Sequence, residues 1–469
     1  MASASRPLSA ARAPAVTMRN DAVRGGGIGA RTDSHGQSRS AGALSTPVVV
    51  QAWTGCARGT WGYPYPEHEA ADVTGDDTTE RPAPLIRPPQ LRTGDEERGA
   101  SRLELFFDLA YVLVVAELAH SFAHHLDLHG AVVFIALLTV TWWSWVTTTL
   151  YANRFDTNDV LYRVAKLGCA AAVVGMAAAA QNATGVDGTK FAASYLLTRV
   201  LLLLLYARAY RHVPDARTTI GIYLAGTGAG AVAWAASLPL HGTARYLLWA
   251  VGILVEAVAP LIVTRHGDNV PLHLDHLPDR FGLFVMLVLG ESVASIVTGV
   301  HAKHWEGPTV FAALLAFVTI AALWWIYFDI GGAAGKRELI NEGDEETGVA
   351  DAYVYGHLPL ILGLSVAAVG IEQFVVHPDH GLTTPGRWAL HGGVALYLAG
   401  VGVVMAGTSG RWRAAWPWPA VVIPAVALIG LVEVLPPVAA VASVAAVLIA
   451  AVLAGIHAQR RGAIRTTET

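Results

Sequence analysis

The chain has 469 residues, of which 54% are hydrophobic and only 14% are charged, and its formal net charge is −4. Soluble domains carry about 25% charged residues, so the composition excludes an ordinary soluble protein. The small negative charge provides no basic surface for a nucleic-acid partner. The two cysteines, Cys56 and Cys169, are too few for a disulfide framework or a thiolate metal site, and no motif predicts a cofactor.

Residues 1–100 differ in composition from the rest of the chain. They are rich in Ala, Arg, Gly, Ser, Thr and Pro, and their only apolar run is the short Val48–Val50. Such a segment buries too little surface to offset the entropy of ordering, and it lacks the apolar region of a signal peptide. We therefore predict a disordered cytoplasmic N-terminal tail over residues 1–100. The alternative is a translation start that has been placed too early.

From Leu103 onwards, apolar blocks long enough to cross a bilayer as helices recur to the C-terminus, each with about 20 residues. Backbone groups in lipid must be paired within their own segment, so these blocks predict helices. The predicted fold class is all-α, a polytopic membrane helical bundle with about twelve transmembrane helices. The predicted spans are 103–124, 131–152, 160–180, 190–210, 218–239, 244–264, 281–300, 308–329, 351–375, 388–406, 415–434 and 438–456.

These spans also resemble two tandem six-helix repeats, over residues 101–265 and 279–457, followed by a short cytoplasmic C-terminal tail over 458–469. The first and seventh spans both open with Arg-x-x-x-Phe, at Arg102 and Arg280, and each later holds an acid, Glu117 or Glu291. An even number of helices per repeat gives both halves the same direction, related by an axis along the membrane normal. We expect Glu117 and Glu291 to lie near this pseudo-axis.

The distribution of Lys and Arg predicts the orientation, because cytoplasmic loops carry the excess of positive charge. Eighteen basic residues fall on one side of the predicted spans and four on the other. Both termini and the 332–349 loop are therefore predicted to lie on the cytoplasmic side of the cell membrane. The eighteen are Arg92, Arg98, Arg102, Arg154, Arg163, Lys166, Arg208, Arg211, Arg217, Arg265, Arg280, Lys336, Arg337, Arg411, Arg413, Arg460, Arg461 and Arg465, and the four are Lys190, Arg245, Lys303 and Arg387.

Ionisable side chains inside apolar spans are costly and normally face the bundle interior or a water-filled cavity. They are therefore the candidate functional residues. An arginine in mid-span requires a carboxylate partner, and Glu117, Glu256 and Glu291 are the mid-depth candidates for Arg199. Glu117 and His120 are three residues apart and share a helix face, which allows a hydrogen bond or a proton relay. The candidates for an ion or solute pathway are Asp108, Glu117, His120, Arg199, Glu256 and Glu291.

Three roles for these charges stay open: an ion or proton pathway, buried ion pairs that fix helix register, or catalysis. Enzyme signals are missing, since Leu289–Val293 lacks the second glycine of a nucleophile elbow. Gly226–Gly230 does not follow a strand, so it is interpreted as helix packing rather than a dinucleotide loop. His273, Asp275 and His276 are interpreted as a polar loop rather than a metal site. We therefore expect neither an enzyme nor a metal centre.

The tryptophans form two groups. Trp412, Trp416 and Trp418 lie beside arginines and predict an interfacial belt. Trp142–Trp145 and Trp324–Trp325 come late in their spans, near the predicted cytoplasmic face. They are interpreted as interfacial anchors in preference to the lining of a vestibule.

Three blocks of the sequence resemble a known family. The first is Leu103–Leu109 (Leu-Glu-Leu-Phe-Phe-Asp-Leu), the second runs from Asp279–Phe284 into Val288–Val293, and the third is His357–Gly363. In this order they are similar to signatures of the bacterial low temperature requirement A (LtrA) proteins, and the resemblance covers about residues 98–456. It implies a multi-pass membrane protein named for a cold-growth requirement, without an established activity or assigned site residues.

The predicted function is passage of an ion or small solute through a polar helix-bundle interior. Proton-coupled transport is favoured over a passive channel, because acids at mid-depth suit cycles of protonation. The alternative is a non-transporting membrane scaffold or a stress (cold) adaptation factor, in which the charges fix helix register. The expected partners are the lipid bilayer and an ion or small solute, and the oligomeric state is left open.

Overall fold

A computed structural model describes residues 85–92, 101–156, 158–268, 276–331, 349–378, 382–409 and 419–467. Within these ranges the chain forms twelve α-helices, a short 3₁₀ turn (Pro214–Ala216), a π-helical turn (Ile326–Gly331) and two short strands. The acidic 332–348 segment, the candidate belt (Trp412, Trp416 and Trp418), His273 and Asp275 lie outside the described residues. The helices are α1 Arg102–His124, α2 Leu128–Arg154, α3 Val160–Ala180, α4 Gly188–His212, α5 Arg217–Ser237, α6 Thr243–His266, α7 Leu277–Ala302, α8 Gly307–Trp325, α9 Val349–Val376, α10 Thr384–Ser409, α11 Pro419–Leu431 and α12 Pro437–Thr467.

The first three helices begin at polar side chains that satisfy the free N–H groups of a first turn. The Glu104 N–H donates to the Ser101 hydroxyl at 3.3 Å, while the Glu104 carboxylate accepts from the Ser101 N–H at 2.9 Å. This reciprocal pair is a capping box. Asp127 caps α2 by accepting from the Gly130 N–H at 2.7 Å, and Asp159 caps α3 in the same way. These helix starts are therefore encoded locally.

Eleven of the described helices are long and apolar enough to cross a bilayer, which confirms the predicted polytopic helical bundle. The exception is α11, whose 13 residues end at Leu431. At 1.5 Å per residue it spans only about 20 Å. The described part of α11 thus ends three residues before the limit of the predicted 415–434 span. Pro424 lies inside α11, and Pro436 and Pro437 follow it; proline disfavours longer helices because it lacks the N–H donor.

The neighbour order of the helices is the same in each half. In the first half α1 contacts α2 and α3, and contacts then run from α3 to α4, α5 and α6 in turn. In the second half α7 contacts α8 and α9, and contacts then run from α9 to α10, α11 and α12. The halves meet where α1 contacts both α7 and α9. A duplicated six-helix unit requires this correspondence, while superposition of the halves stays a prediction.

A short segment before α1 is ordered, which corrects the predicted disorder of residues 1–100 near its C-terminal end. Strand β1 (Gln90–Leu91) pairs antiparallel with strand β2 (Phe155–Asp156), which follows α2. The Val160 N–H donates to the Leu85 carbonyl at 3.1 Å. Backbone pairing with a partner distant in sequence leaves no signal in local composition, so the prediction missed it. In the predicted C-terminal tail over 458–469, α12 continues as helix to Thr467.

Asp159 joins this segment to α4. Its carboxylate accepts from Arg208 Nη2 at 2.6 Å and from the Arg87 N–H at 3.3 Å, and Arg208 also donates to the Arg87 carbonyl. Burial raises the pKa of Asp159, but the hydrogen bonds from Arg208 and from the Tyr162 and Arg87 N–H groups outweigh burial and hold the pKa below its usual value. Asp159 is therefore ionised at neutral pH and holds residues 85–92 against α3 and α4.

Candidate functional site

Arg199 is the most enclosed of the candidate residues. It lies near the middle of α4, and its side chain is fully buried. Nη1 donates to Thr147 Oγ1 at 2.7 Å and to Glu256 Oε2 at 3.0 Å, and Nη2 donates to Ser144 Oγ at 2.6 Å. Nε donates to Thr198 Oγ1 at 3.3 Å. Since Ser144 and Thr147 belong to α2 and Glu256 to α6, this Arg199 network ties three helices together.

The ion pair confirms the prediction that Arg199 has a mid-depth carboxylate partner, and the partner is Glu256 rather than Glu117 or Glu291. The Tyr195 hydroxyl also donates to Glu256 Oε2, at 3.0 Å. The guanidinium of Arg199 and Oε2 of Glu256 are thus held by several hydrogen bonds, which a buried charge pair needs in a low-dielectric interior. Glu256 Oε1 is also buried and has no hydrogen-bond partner among the described residues.

Two glycines of α5 allow α6 to approach closely enough to form this network. A Cβ at Gly230 would lie 2.5 Å from Glu256 Oε1, and a Cβ at Gly226 would lie 2.7 Å from the Cβ of Ala259. Both distances are shorter than real contacts allow. The interpretation of Gly226–Gly230 as helix packing is therefore confirmed, and Gly230 additionally leaves the space that the Glu256 carboxylate occupies.

A second group of charges, the Asp108 cluster (Glu104, Asp108, Lys166 and Arg280), lies where α1, α3 and α7 meet. Arg280 Nη2 donates to Asp108 Oδ1 at 2.9 Å, and Trp145 Nε1 donates to the same oxygen at 2.8 Å. Arg280 Nη1 lies 3.7 Å from Glu104 Oε2. The buried Lys166 places Nζ 3.6 Å from the centroid of the Phe107 ring, a cation–π contact. Asp108 therefore joins the two halves of the bundle.

The Asp108 cluster borders a pocket at the arginine-rich end of the bundle. Glu104 and Arg280 line this pocket together with Tyr162 and Asn153, and its cavity volume is about 50 Å³. One water needs roughly 10–15 Å³ of such volume, so the pocket holds only a few water molecules or a small ion. An organic solute does not fit it.

The third group, the Glu291 cluster (Glu117, His120, His124, Glu291 and Glu372), lies on α1, α7 and α9 towards the opposite end. The carboxylate of Glu291 is within electrostatic range of Glu117 and Glu372, and Glu372 is within range of both histidines. The three carboxylates are half-buried, and the two histidines are exposed. The cluster therefore gathers acids from both halves of the bundle at one depth.

The structure does not contain the hydrogen bond that the spacing of Glu117 and His120 allows. Gln181 Nε2, at the end of α3, donates to Glu117 Oε2 at 2.7 Å, and the His120 ring packs against His124 with centroids 4.5 Å apart. Among the described residues Glu117 and His120 share no hydrogen bond. Helical spacing places Glu117 and His120 on a common face, but each side chain has another partner. Glu117 binds Gln181 after α3, and His120 packs against His124 in the next turn.

Sequence reasoning missed several members of these clusters. In the sequence analysis, Arg280 served for the repeat and the orientation, Lys166 for the orientation and Glu104 for the family resemblance, and none of them was a candidate site residue. Glu372 was not considered. Each lies within two or three turns of a helix end, where ionisable residues are common and carry little signal. Only the packing of α1 against α3, α7 and α9 reveals that they face one another.

The interpretation of Trp142–Trp145 as interfacial anchors is also wrong, because Trp142, Trp143 and Trp145 are all buried in the protein. Trp145 packs against Phe281 with ring centroids 4.9 Å apart, and Phe281 packs against His357 at 4.8 Å. The three sequence blocks identified above therefore converge beside the Asp108 cluster.

In the described ranges, no group of three or more His, Cys, Asp and Glu side chains is arranged to hold a metal ion.

Comparison with known proteins gives a family match: the model of the family described as bacterial low temperature requirement A protein (LtrA) matches residues 99–453. An uncharacterized protein of Rhizobium meliloti (strain 1021) is 27% identical over 313 residues, which cover 65% of this chain and 76% of that protein. No solved structure matches.

Proposed function

The chain belongs to the bacterial low temperature requirement A family and is a multi-pass integral membrane protein, and on this premise we propose that it moves protons across the membrane, alone or coupled to a small ion or solute. In this proposal the protein is a transporter rather than an enzyme. The proton route follows α1, α7 and α9, where the two halves meet.

The proposal rests on the surroundings of the Glu291 and Glu372 carboxylates. Both are half-buried within membrane-spanning helices, and in the part of the chain that the structure describes neither accepts a hydrogen bond nor forms an ion pair. Carboxylates inside a membrane protein are costly and are normally paired unless they serve an ion or proton pathway. A carboxylate without a fixed cation can bind and release a proton without breaking a salt bridge.

The Asp108 cluster supports a route that continues towards the other end of the bundle. Asp108 precedes Glu117 by nine residues on α1, which is about 14 Å of helix. The pocket beside Glu104 and Arg280 has room for a few water molecules, which can carry protons between the cluster and bulk water. Helices α1 and α7 thus carry ionisable groups at both ends of the proposed route.

The Arg199 network has a different role in this proposal. It is fully buried, its ions are paired, and neither Arg199 nor Glu256 lines the pocket beside the Asp108 cluster. These properties suit a pair that fixes the register of α2, α4 and α6. They also favour the second candidate function, a non-transporting scaffold or stress-adaptation factor, in which all the buried charges are structural.

A flux assay distinguishes the two functions. The full chain is reconstituted in liposomes that contain a pH-sensitive dye, a pH gradient is imposed, and the membrane potential is clamped with potassium and valinomycin. We expect the protein to dissipate the gradient, and we expect Glu291→Gln and Glu372→Gln to slow dissipation at least about tenfold, because an amide cannot bind the proton. Repeating the assay with and without added sodium, while the potassium that clamps the potential is kept constant, tests coupling to sodium.

Glu306→Gln provides the matched control, because Glu306 is an exposed carboxylate just before α8 and outside the membrane-spanning segment. It should leave the rate unchanged. Size-exclusion chromatography verifies that each variant is folded. A wild-type rate equal to that of empty liposomes contradicts the transport proposal and leaves the scaffold function.

The proposal includes an orientation, with both termini in the cytoplasm, supported by the distribution of eighteen basic residues against four. We expect a cysteine at position 337 to be protected from a membrane-impermeant maleimide in intact cells, and a cysteine at position 128 to be labelled. Cys169 is buried and serves as an unreactive background, whereas Cys56 is replaced by serine. Labelling at 337 but not at 128 contradicts this orientation.

A further inference from the structure

A second pocket lies at the opposite end of the bundle from the Asp108 cluster. It is formed by the last turn of α1, the start of α2 and the loop that follows α3, and its cavity volume is about 270 Å³. Drug-sized ligands occupy pockets of roughly 300–1,000 Å³, so this pocket suits a smaller molecule. None of the six candidate residues derived from the sequence lines it.

The floor of the pocket is apolar and aromatic. Phe122 and Phe134 both line it, and their rings are stacked with centroids 5.1 Å apart. Leu118 and Leu137 complete the floor, and all four side chains are buried. The faces of aromatic rings attract cations through their quadrupole. The floor therefore accepts an apolar body that carries a positive charge.

The rim is polar, and the described residues that line it include no lysine or arginine. Its exposed side chains include Asp127, His125 and His129. His125 Nδ1 donates to the Ser121 carbonyl at 3.1 Å. Asp127 supplies the one carboxylate among the lining residues. The Asp127 carboxylate at the rim thus favours a cation over an anion.

The backbone around the pocket also favours a cation. The C-terminal turn of α1 and the C-terminal end of α3 both border the pocket. The carbonyl groups at a helix C-terminus carry a partial negative charge. The one helix N-terminus at the pocket, that of α2, is already capped by Asp127. The net field in the pocket therefore favours positive charge.

From these features we propose that this pocket, the Phe134 pocket, binds a small organic cation such as a quaternary or primary ammonium compound. The aromatic floor holds the apolar body and the cationic group, while Asp127 and the two helix ends supply negative potential. The proposal does not depend on transport, because a ligand-binding scaffold would show the same binding.

Calorimetric titration of the full chain in detergent tests the proposal, with choline as the probe and 3,3-dimethyl-1-butanol, its uncharged isostere, as the reference. We expect choline to bind and the isostere to bind at least about tenfold more weakly, because it lacks the charge that the pocket selects. Equal binding of the two compounds, or no choline binding at millimolar concentration, overturns the proposal.

Two variants locate the binding. Asp127→Asn removes the charge but keeps the helix cap, since asparagine caps as well as aspartate, and Phe134→Leu keeps an apolar floor but removes one ring. We expect each to weaken choline binding roughly five- to thirtyfold. Asp187→Asn is the control, because Asp187 precedes α4 and does not line the pocket. Unchanged choline binding in both variants, with thermal stability preserved, also overturns the proposal.

Discussion

Arg199→Leu and Glu256→Leu should each lower the free energy of unfolding by roughly 3–5 kcal/mol, because each leaves an uncompensated charge buried in the bundle. The double variant Arg199→Leu/Glu256→Leu should lose less than the sum of the two, since it removes both ions together. Arg199 Nη1 lies 3.0 Å from Glu256 Oε2, and both side chains are fully buried, so neither remaining ion can reach water.

Thermal and denaturant unfolding in detergent measure these differences. Lys190→Met is the matched control, because Lys190 also pairs with a carboxylate, at 2.8 Å, but its side chain is 77% exposed. A surface pair contributes about 0–1 kcal/mol, so this variant should unfold almost like the wild type. A double variant as unstable as the sum of the single variants would show that Arg199 and Glu256 do not interact.

The same double variant separates structure from transport. If the Arg199 network fixes helix register only, proteoliposomes with the double variant should retain the wild-type rate of proton flux. Loss of flux in a folded double variant would return Arg199 and Glu256 to the pathway. That result would favour the role that the sequence first assigned to them.

Gly393→Leu should destabilise the protein by at least about 3 kcal/mol, because α9 and α10 touch backbone to backbone at this position. A Cβ at Gly393 would lie 2.4 Å from the Ala367 nitrogen and 2.8 Å from the Gly363 carbonyl oxygen. The reciprocal contact is as close, since a Cβ at Gly363 would lie 2.2 Å from the Tyr397 nitrogen. In lipid the hydrophobic effect does not drive helices together, so close packing between small residues such as these holds the helices in contact.

Gly290→Ala on α7 is the control for this prediction. Among the described residues, no atom outside the adjacent backbone of α7 and the two chain neighbours lies within 4 Å of the position that its Cβ would take. Alanine favours a helix over glycine by up to about 1 kcal/mol. The control should therefore be neutral or slightly stabilising. The unfolding midpoints of Gly393→Leu and Gly290→Ala, measured under one set of conditions, provide the comparison. Similar midpoints would mean that α9 and α10 can separate without cost.

Much of the fold could be predicted one segment at a time. The length and apolarity of each span indicate a helix without reference to any other part of the chain, because the bilayer imposes the same thickness on every segment. The 415–434 span differs most from the described helices, because only 13 of its residues, Pro419–Leu431, are described as helix and prolines follow them. The ordered segment over 85–92 was missed because its backbone partners lie beyond α2.

The sequence predicts that buried charges are paired, but it does not predict which residues form each pair. Arg199 was expected to pair with a carboxylate, because an unpaired arginine at mid-depth is costly. The sequence did not distinguish among Glu117, Glu256 and Glu291 as its partner. Packing decides among them, since Gly230 brings α6 close enough for Glu256 to reach α4. Glu117 and Glu291 lie on helices that meet one another at the interface between the halves instead.

The sequence by itself determined that this is a helical membrane protein, which blocks cross the bilayer, and that buried charges must find partners. Only the tertiary structure decided that Asp108 pairs with Arg280, 172 positions along the chain, and that Trp142, Trp143 and Trp145 are buried in the protein rather than set in the interface. The physical reason is that transfer into lipid depends on each segment's own composition. The partner of a side chain depends instead on the angle and depth at which two distant helices meet.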